Sequence, residues 1–135
     1  MSRFAENEVL QRHVQAARQV FDEVVLVDGQ HKAVCVWPLR LLPPFDLEAT
    51  SLVIGFSKVA ADAYPRVPPR DFYVSDQLRY DGRRLRDFHV SWAPEGYAQL
   101  CMEEMEGWLP EFDDLVTLVQ MIFVRLHAIT PADLE

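Results

Sequence analysis

At 135 residues and 15.6 kDa the chain has the size of one domain, large enough to bury a core without disulfides or metal. Half of it is hydrophobic and a quarter charged, which is a globular rather than a disordered composition. Its 21 acidic residues against 13 basic ones give a net charge of −8, which argues against nucleic acid as a partner.

The opening residues MSRFAENEVLQ carry no signal-peptide core, and no apolar run reaches the ~18 residues of a membrane span. Two cysteines, Cys35 and Cys101, are too few for a secreted disulfide framework. A cytoplasmic protein with no membrane partner is expected.

In chain order, Leu10, Val14, Ala17 and Phe21 recur on one helical face, predicting a helix over 7–21 with Asn7 as its N-cap. Residues 24–27 form a short β-branched run ending at the turn signal Asp28-Gly29, and 33–37 answer it as the second arm of a hairpin. Pro38, Pro43 and Pro44 bound an irregular connection. Residues 51–58 are predicted as a third strand and 71–74 as a fourth. Between them, the three prolines of Tyr64-Pro65-Arg66-Val67-Pro68-Pro69 fix φ and lack three donors, so this is a stiff crossing and not a central strand. Asp81-Gly82 marks another turn amid Arg79, Arg83, Arg84 and Arg86. Residues 88–107 show no sustained period, and a loop that long in a small domain is expected to be functional. A last helix is predicted over 113–127, N-capped by Asp113, with Leu115, Leu118, Val119, Ile122 and Leu126 as its buried stripe.

The order of these parts resembles the ubiquitin-conjugating enzyme family. A Tyr-Pro-x-x-Pro-Pro crossing stands at 64–69, a hydrophobic-Cys-hydrophobic-acidic stretch at Leu100-Cys101-Met102-Glu103, and a Trp-x-Pro at Trp108-Leu109-Pro110, with His89 upstream where the family's His-Pro-Asn begins. The resemblance implies an α+β fold over 1–135: an N-terminal helix, a four-stranded antiparallel meander, an active-site loop and a C-terminal packing helix. It also implies a cysteine transferase that takes a ubiquitin-like protein from an activating enzyme as a thioester on Cys101 and passes it to an amine. The chain lacks the family's asparagine two residues after the histidine, since its one asparagine is Asn7. An oxyanion donor would then be a backbone N–H, Ser91 or Gln99. The shortened form, without the two C-terminal helices of the eukaryotic enzymes, resembles the bacterial conjugating-like proteins of Bil-type antiphage operons. That likeness adds a deubiquitinase-like protease to the implied partners, and needs no cofactor.

Cysteine suits such a carrier because thioester exchange is near-isoenergetic, whereas a hydroxyl would form an ester too stable for onward transfer. From position alone Cys101 reads as a small buried hydrophobe, and the resemblance reverses that reading. Its carboxylate neighbours Glu103 and Glu104 should raise the thiol pKa. His89 stands as a general base, an oxyanion holder or a structural imidazole. The resemblance assigns Asp133 to the group that helps deprotonate the attacking amine, against the alternative of an unordered end. Arg79, Arg83, Arg84 and Arg86 are candidates for binding an acidic partner, or are a solvated turn. His13, His31 and His127 show no metal-ligand spacing. Cys35 is expected in the core, with Leu10, Val14, Val25, Val34, Val36, Leu52, Ile54, Phe56, Leu118 and Ile122. Tyr64, Pro65, Pro68, Pro69, Trp108 and Pro110 are taken as architecture. Competing with the transferase are a non-catalytic binding module of the same fold, as in the family's inactive variants and RWD domains, a type III secretion chaperone, and a Cys101–His89 protease.

Overall fold

A computed structural model of the chain describes residues 4–86, 88–89, 93–100 and 107–135, with His89 as backbone. Helix α1 (Glu8–Arg18) begins where Asn7 offers its side-chain oxygen to Leu10 N at 3.0 Å, satisfying a donor that the first turn leaves free. Leu10, Val14 and Ala17 are its buried face. The helix stops at Arg18, short of Phe21, because Val20 and Phe21 N–H groups both turn back on Ala17 O.

Strands β1 (Glu23–Asp28) and β2 (Lys32–Arg40) pair as an antiparallel hairpin, followed by β3 (Ala49–Phe56) and β4 (Asp71–Ser75). The expected irregular connection from Pro38 is instead the second half of β2. A register shift between Val36 and Leu39 accommodates the proline, which has no N–H to give the ladder. The third strand ends at Phe56. Ser57, predicted inside it, takes the N-cap of a short helix α2 (Lys58–Ala63), its Oγ accepting from Ala60 N at 3.2 Å.

Two further strands lie in the stretch expected to be structureless: β5 (Phe88–His89) and β6 (Tyr97–Leu100). The described residues therefore form a six-stranded antiparallel sheet in the order β1-β2-β3-β4-β6-β5, where a four-stranded meander was expected. Helix α3 (Leu115–His127) is capped by Asp114, not by its neighbour Asp113. Asp114 Oδ1 accepts from Thr117 N at 2.9 Å while Thr117 Oγ1 accepts from Asp114 N at 2.8 Å, a reciprocal capping box. Asp113 instead accepts from Leu109 N at 2.6 Å and closes the preceding turn.

One face of the sheet packs against the helices. Val34, Val36, Leu52, Ile54, Phe72 and Val74 share a core with Leu10 and Val14 of α1 and with Leu115, Leu118 and Ile122 of α3. Strand alternation sends the other parity to the opposite face, and this corrects two expectations. Val25 is 53% exposed whereas Val24 is buried, and Cys35, flanked by buried Val34 and Val36, is only half-buried on the outer face. The register carries one row across that face, from Val25 to Cys35, Val53, Tyr73 and Gln99, with His89 opposite Gln99. No helix among the described residues is long and apolar enough to cross a membrane.

Candidate functional site

The proline crossing and the Trp-x-Pro, 43 residues apart in sequence, meet in space: Trp108 Nε1 donates to Pro65 O at 2.7 Å. Tyr64 is the hub of that meeting. Its carbonyl accepts from Asn7 Nδ2 at 2.9 Å, its ring is buried edge-on to Phe56 and His13, and its hydroxyl lies 2.6 Å from His13 Nδ1. Burial, and then the Asp114 carboxylate, push the phenol pKa well above its usual value, so it stays an O–H. Burial lowers the His13 pKa, Asp114 opposes that shift, and Arg12 adds to it. A neutral His13 accepting from the Tyr64 O–H satisfies both groups. The architectural role expected of Tyr64 and Trp108 thus has named partners, and Asn7 and His13 join them as braces that periodicity alone did not single out.

Strand β6 leads directly to Cys101. Leu100 sits between Phe72 of β4 and Phe88 of β5, and all three side chains are buried. His89 stands opposite Gln99 on the neighbouring strand, so the pairing brings the two stretches singled out in the sequence side by side. Cys101 itself, with Met102, Glu103 and Glu104, lies outside the described residues, as does Ser91. Gln99, the other side-chain candidate for an oxyanion donor, reaches toward Asp71 Oδ1 at 3.5 Å from the outer face.

The arginine run is tied to its own chain. Arg79 Nη1 donates to the carbonyls of Asp76 and Leu78 at 2.9 and 2.8 Å. Arg83 Nε donates to Glu135 O at 3.1 Å, and Arg86 Nη2 to Leu134 O at 3.0 Å. Arg84 Nη2 lies 3.5 Å from Phe88 O. Asp133 closes a 3₁₀ turn, Pro131–Asp133, and its exposed carboxylate accepts from Thr130 N at 2.9 Å and from Thr130 Oγ1 at 3.2 Å. Its main-chain oxygen accepts from Arg86 N at 2.9 Å.

Cys35, the other thiol, has its pKa raised by burial, which keeps it protonated and a poor nucleophile. His127 has both ring nitrogens engaged. Nε2 accepts from Leu42 N at 3.0 Å, which leaves the ring proton on Nδ1 to donate to Phe123 O at 2.7 Å. Among the described residues no group of three or more His, Cys, Asp or Glu side chains could hold a metal ion.

One feature escaped the sequence. The outer face carries an open groove of about 750 Å³, floored by Ala33, Val53 and Gly55 and walled by Lys58 of α2 and Asp71 and Tyr73 of β4. Gly55 lets the wall close in over the floor: a Cβ there would come within 3.1 Å of Asp71 Cβ and 3.2 Å of the Tyr73 ring. The small residues at 33 and 55 were the available signal, legible only once the parity of the strands is known. No family model, curated protein or solved structure matches this chain.

Proposed function

We propose that the chain is a ubiquitin-conjugating-like cysteine transferase that carries a ubiquitin-like protein as a thioester on Cys101. The observation that supports this most is the β5–β6 pairing, which sets His89 opposite Gln99, two positions before Cys101 in the sequence. A second support is the Trp108–Pro65 bond, which joins two motifs on which the family resemblance was drawn.

In the first step the Cys101 thiolate attacks the thioester carbonyl on the activating enzyme. A new C–S bond forms, the old one breaks, and the activating enzyme's thiolate leaves, so bond types balance. In the second step an amine attacks the carbonyl, a C–N bond replaces the C–S bond, and the Cys101 thiolate departs. The amine's proton must be lost, because an ordinary lysine ammonium with pKa ~10.4 is no nucleophile near neutrality. His89 and Asp133 are the residues this reading assigns to proton handling, and Gln99 or a main-chain N–H to the oxyanion.

The test is Cys101→Ser. Incubated with activating enzyme, ubiquitin-like protein and ATP, the wild-type chain should give an adduct cleaved by thiols, and the serine chain one that resists thiols but yields to mild base. If the two adducts respond identically to thiols, Cys101 is not the carrier. A chain that binds the activating enzyme yet forms neither adduct would be a binding module of the same fold.

A further inference from the structure

Residues 130–135 do more than follow α3. Leu134 is 2% exposed and belongs to the core, bridging to Leu85. On either side of that anchor, the segment is laced to residues 83–86. Arg86 N donates to Asp133 O and Glu135 N to Arg84 O, both at 2.9 Å, and the Arg83 and Arg86 guanidinium groups take the carbonyls of Glu135 and Leu134. Residues 83–86 lead straight into β5, with Arg84 Nη2 reaching Phe88 O. Among the described residues strand β5 stands last in the sheet order, and it pairs with β6 through Phe88–Leu100 and His89–Gln99. A strand with one neighbour in the sheet has one ladder to hold it, so its placement depends also on what holds the chain feeding it.

We propose that segment 130–135 is a positioning strap for the β5–β6 pair, and that Arg86 is its clasp. The strap fixes residues 83–86, these fix β5, and β5 holds Gln99 and Leu100 of β6, with Cys101 next in the sequence. Arg86 and Arg83 are positioning residues in this account, and touch no reacting atom. The inference deepens the transferase reading and, for its consequence on transfer, rests on it. The geometric part stands apart and has its own readout.

Arg86→Ala removes one exposed side chain and one hydrogen bond while Leu134 stays anchored, so the variant should fold. The probe is iodoacetamide on the folded chain, with the alkylation of Cys101 and of Cys35 followed separately by peptide mass. Cys35, on β2 at the far side of the sheet, is the internal control. The strap predicts a Cys101 rate shifted by about fivefold, the scale that one net hydrogen bond supports, no change at Cys35, and partial return toward the wild-type rate in Arg86→Lys. In the charging assay, Arg86→Ala should lower kcat by a similar factor and leave KM for the loaded activating enzyme unchanged. A Cys101 rate that is unchanged, or that shifts together with Cys35, overturns the strap. If wild type never charges, the transferase reading falls while the alkylation arm still decides the strap. If wild type charges and Arg86→Ala moves neither readout, the strap alone falls.

Discussion

At the scale of single residues, the balance of burial and hydrogen bonding decides what each group contributes. The Tyr64 hydroxyl and His13 Nδ1, 2.6 Å apart, satisfy each other in a half-dry site. Tyr64→Phe keeps the ring contacts but leaves His13 without its donor, and should cost about 1 kcal/mol in chemical denaturation. The same pair sets a pH dependence. The folded pKa of His13 lies below its usual 6.5, so the unfolded chain binds the proton more readily. This group's contribution is therefore complete above pH 6.5 and is lost as pH falls through the folded value. Unfolding free energy should decline as pH falls below 6.5, and His13→Gln should flatten that part of the profile. A profile unchanged by the substitution would place the acid sensitivity elsewhere.

Residue identity alone left the two valines of β1 indistinguishable, yet their environments are opposite. Val24→Ala should cost about 1.5 kcal/mol, from ~0.8 kcal/mol per buried CH₂, whereas Val25→Ala on the outer face should stay within about 0.5 kcal/mol. Equal losses at the two positions would contradict the strand parity. A run such as Val24-Val25-Leu26-Val27 carries no alternation, so its parity comes from the hairpin register, which the sequence does not display. Cys35 was misplaced for the same reason, sitting in Ala33-Val34-Cys35-Val36 with apolar residues on both faces.

At the scale of elements, what was legible follows from length and period. Helices α1 and α3 repeat a buried stripe over three turns and could be read directly, though their first and last residues could not. The choice between Asp113 and Asp114 as cap had one available clue, Thr117 three residues after Asp114, the spacing that permits the reciprocal box. Asp114→Ala should cost about 1 kcal/mol by urea denaturation, and Asp113→Ala less, because only the first of these caps α3. Helix α2 was hidden because its six residues, Lys-Val-Ala-Ala-Asp-Ala, are too few to show a period beside three strong prolines. The described parts of β5 and β6, Phe88–His89 and Tyr97–Leu100, are likewise too few residues for alternation to be recognised. Pro38 misled in the opposite direction: a proline at a register shift ends no strand. Trp108→Phe isolates the contact between the two motif segments. It keeps most of the ring and removes the bond to Pro65 O, so thermal stability should fall by the equivalent of about 1 kcal/mol.

At the scale of the whole molecule, α1 and α3 share the core on one face of the sheet, α2 borders the groove on the other, and the segments leading to Cys101 gather at the β6–β5 side. Much of that arrangement was readable as a sequence of parts: helix, hairpin, crossing, Trp-x-Pro, helix. The strap was not, because it depends on main-chain carbonyls of 133–135 meeting residues 83–86, and backbone groups leave no mark in a sequence. The arginines were noticed for their charge, and two of them serve as donors to that backbone.

The central claim is that Cys101, and not Cys35, accepts the acyl group. The measurement that reaches it most directly is the intact mass of the chain after incubation with activating enzyme, ubiquitin-like protein and ATP, in Cys35→Ala and Cys101→Ala side by side. The account predicts one thiol-labile adduct on the Cys35→Ala chain and none on the Cys101→Ala chain. An adduct that persists in Cys101→Ala and disappears in Cys35→Ala would contradict it.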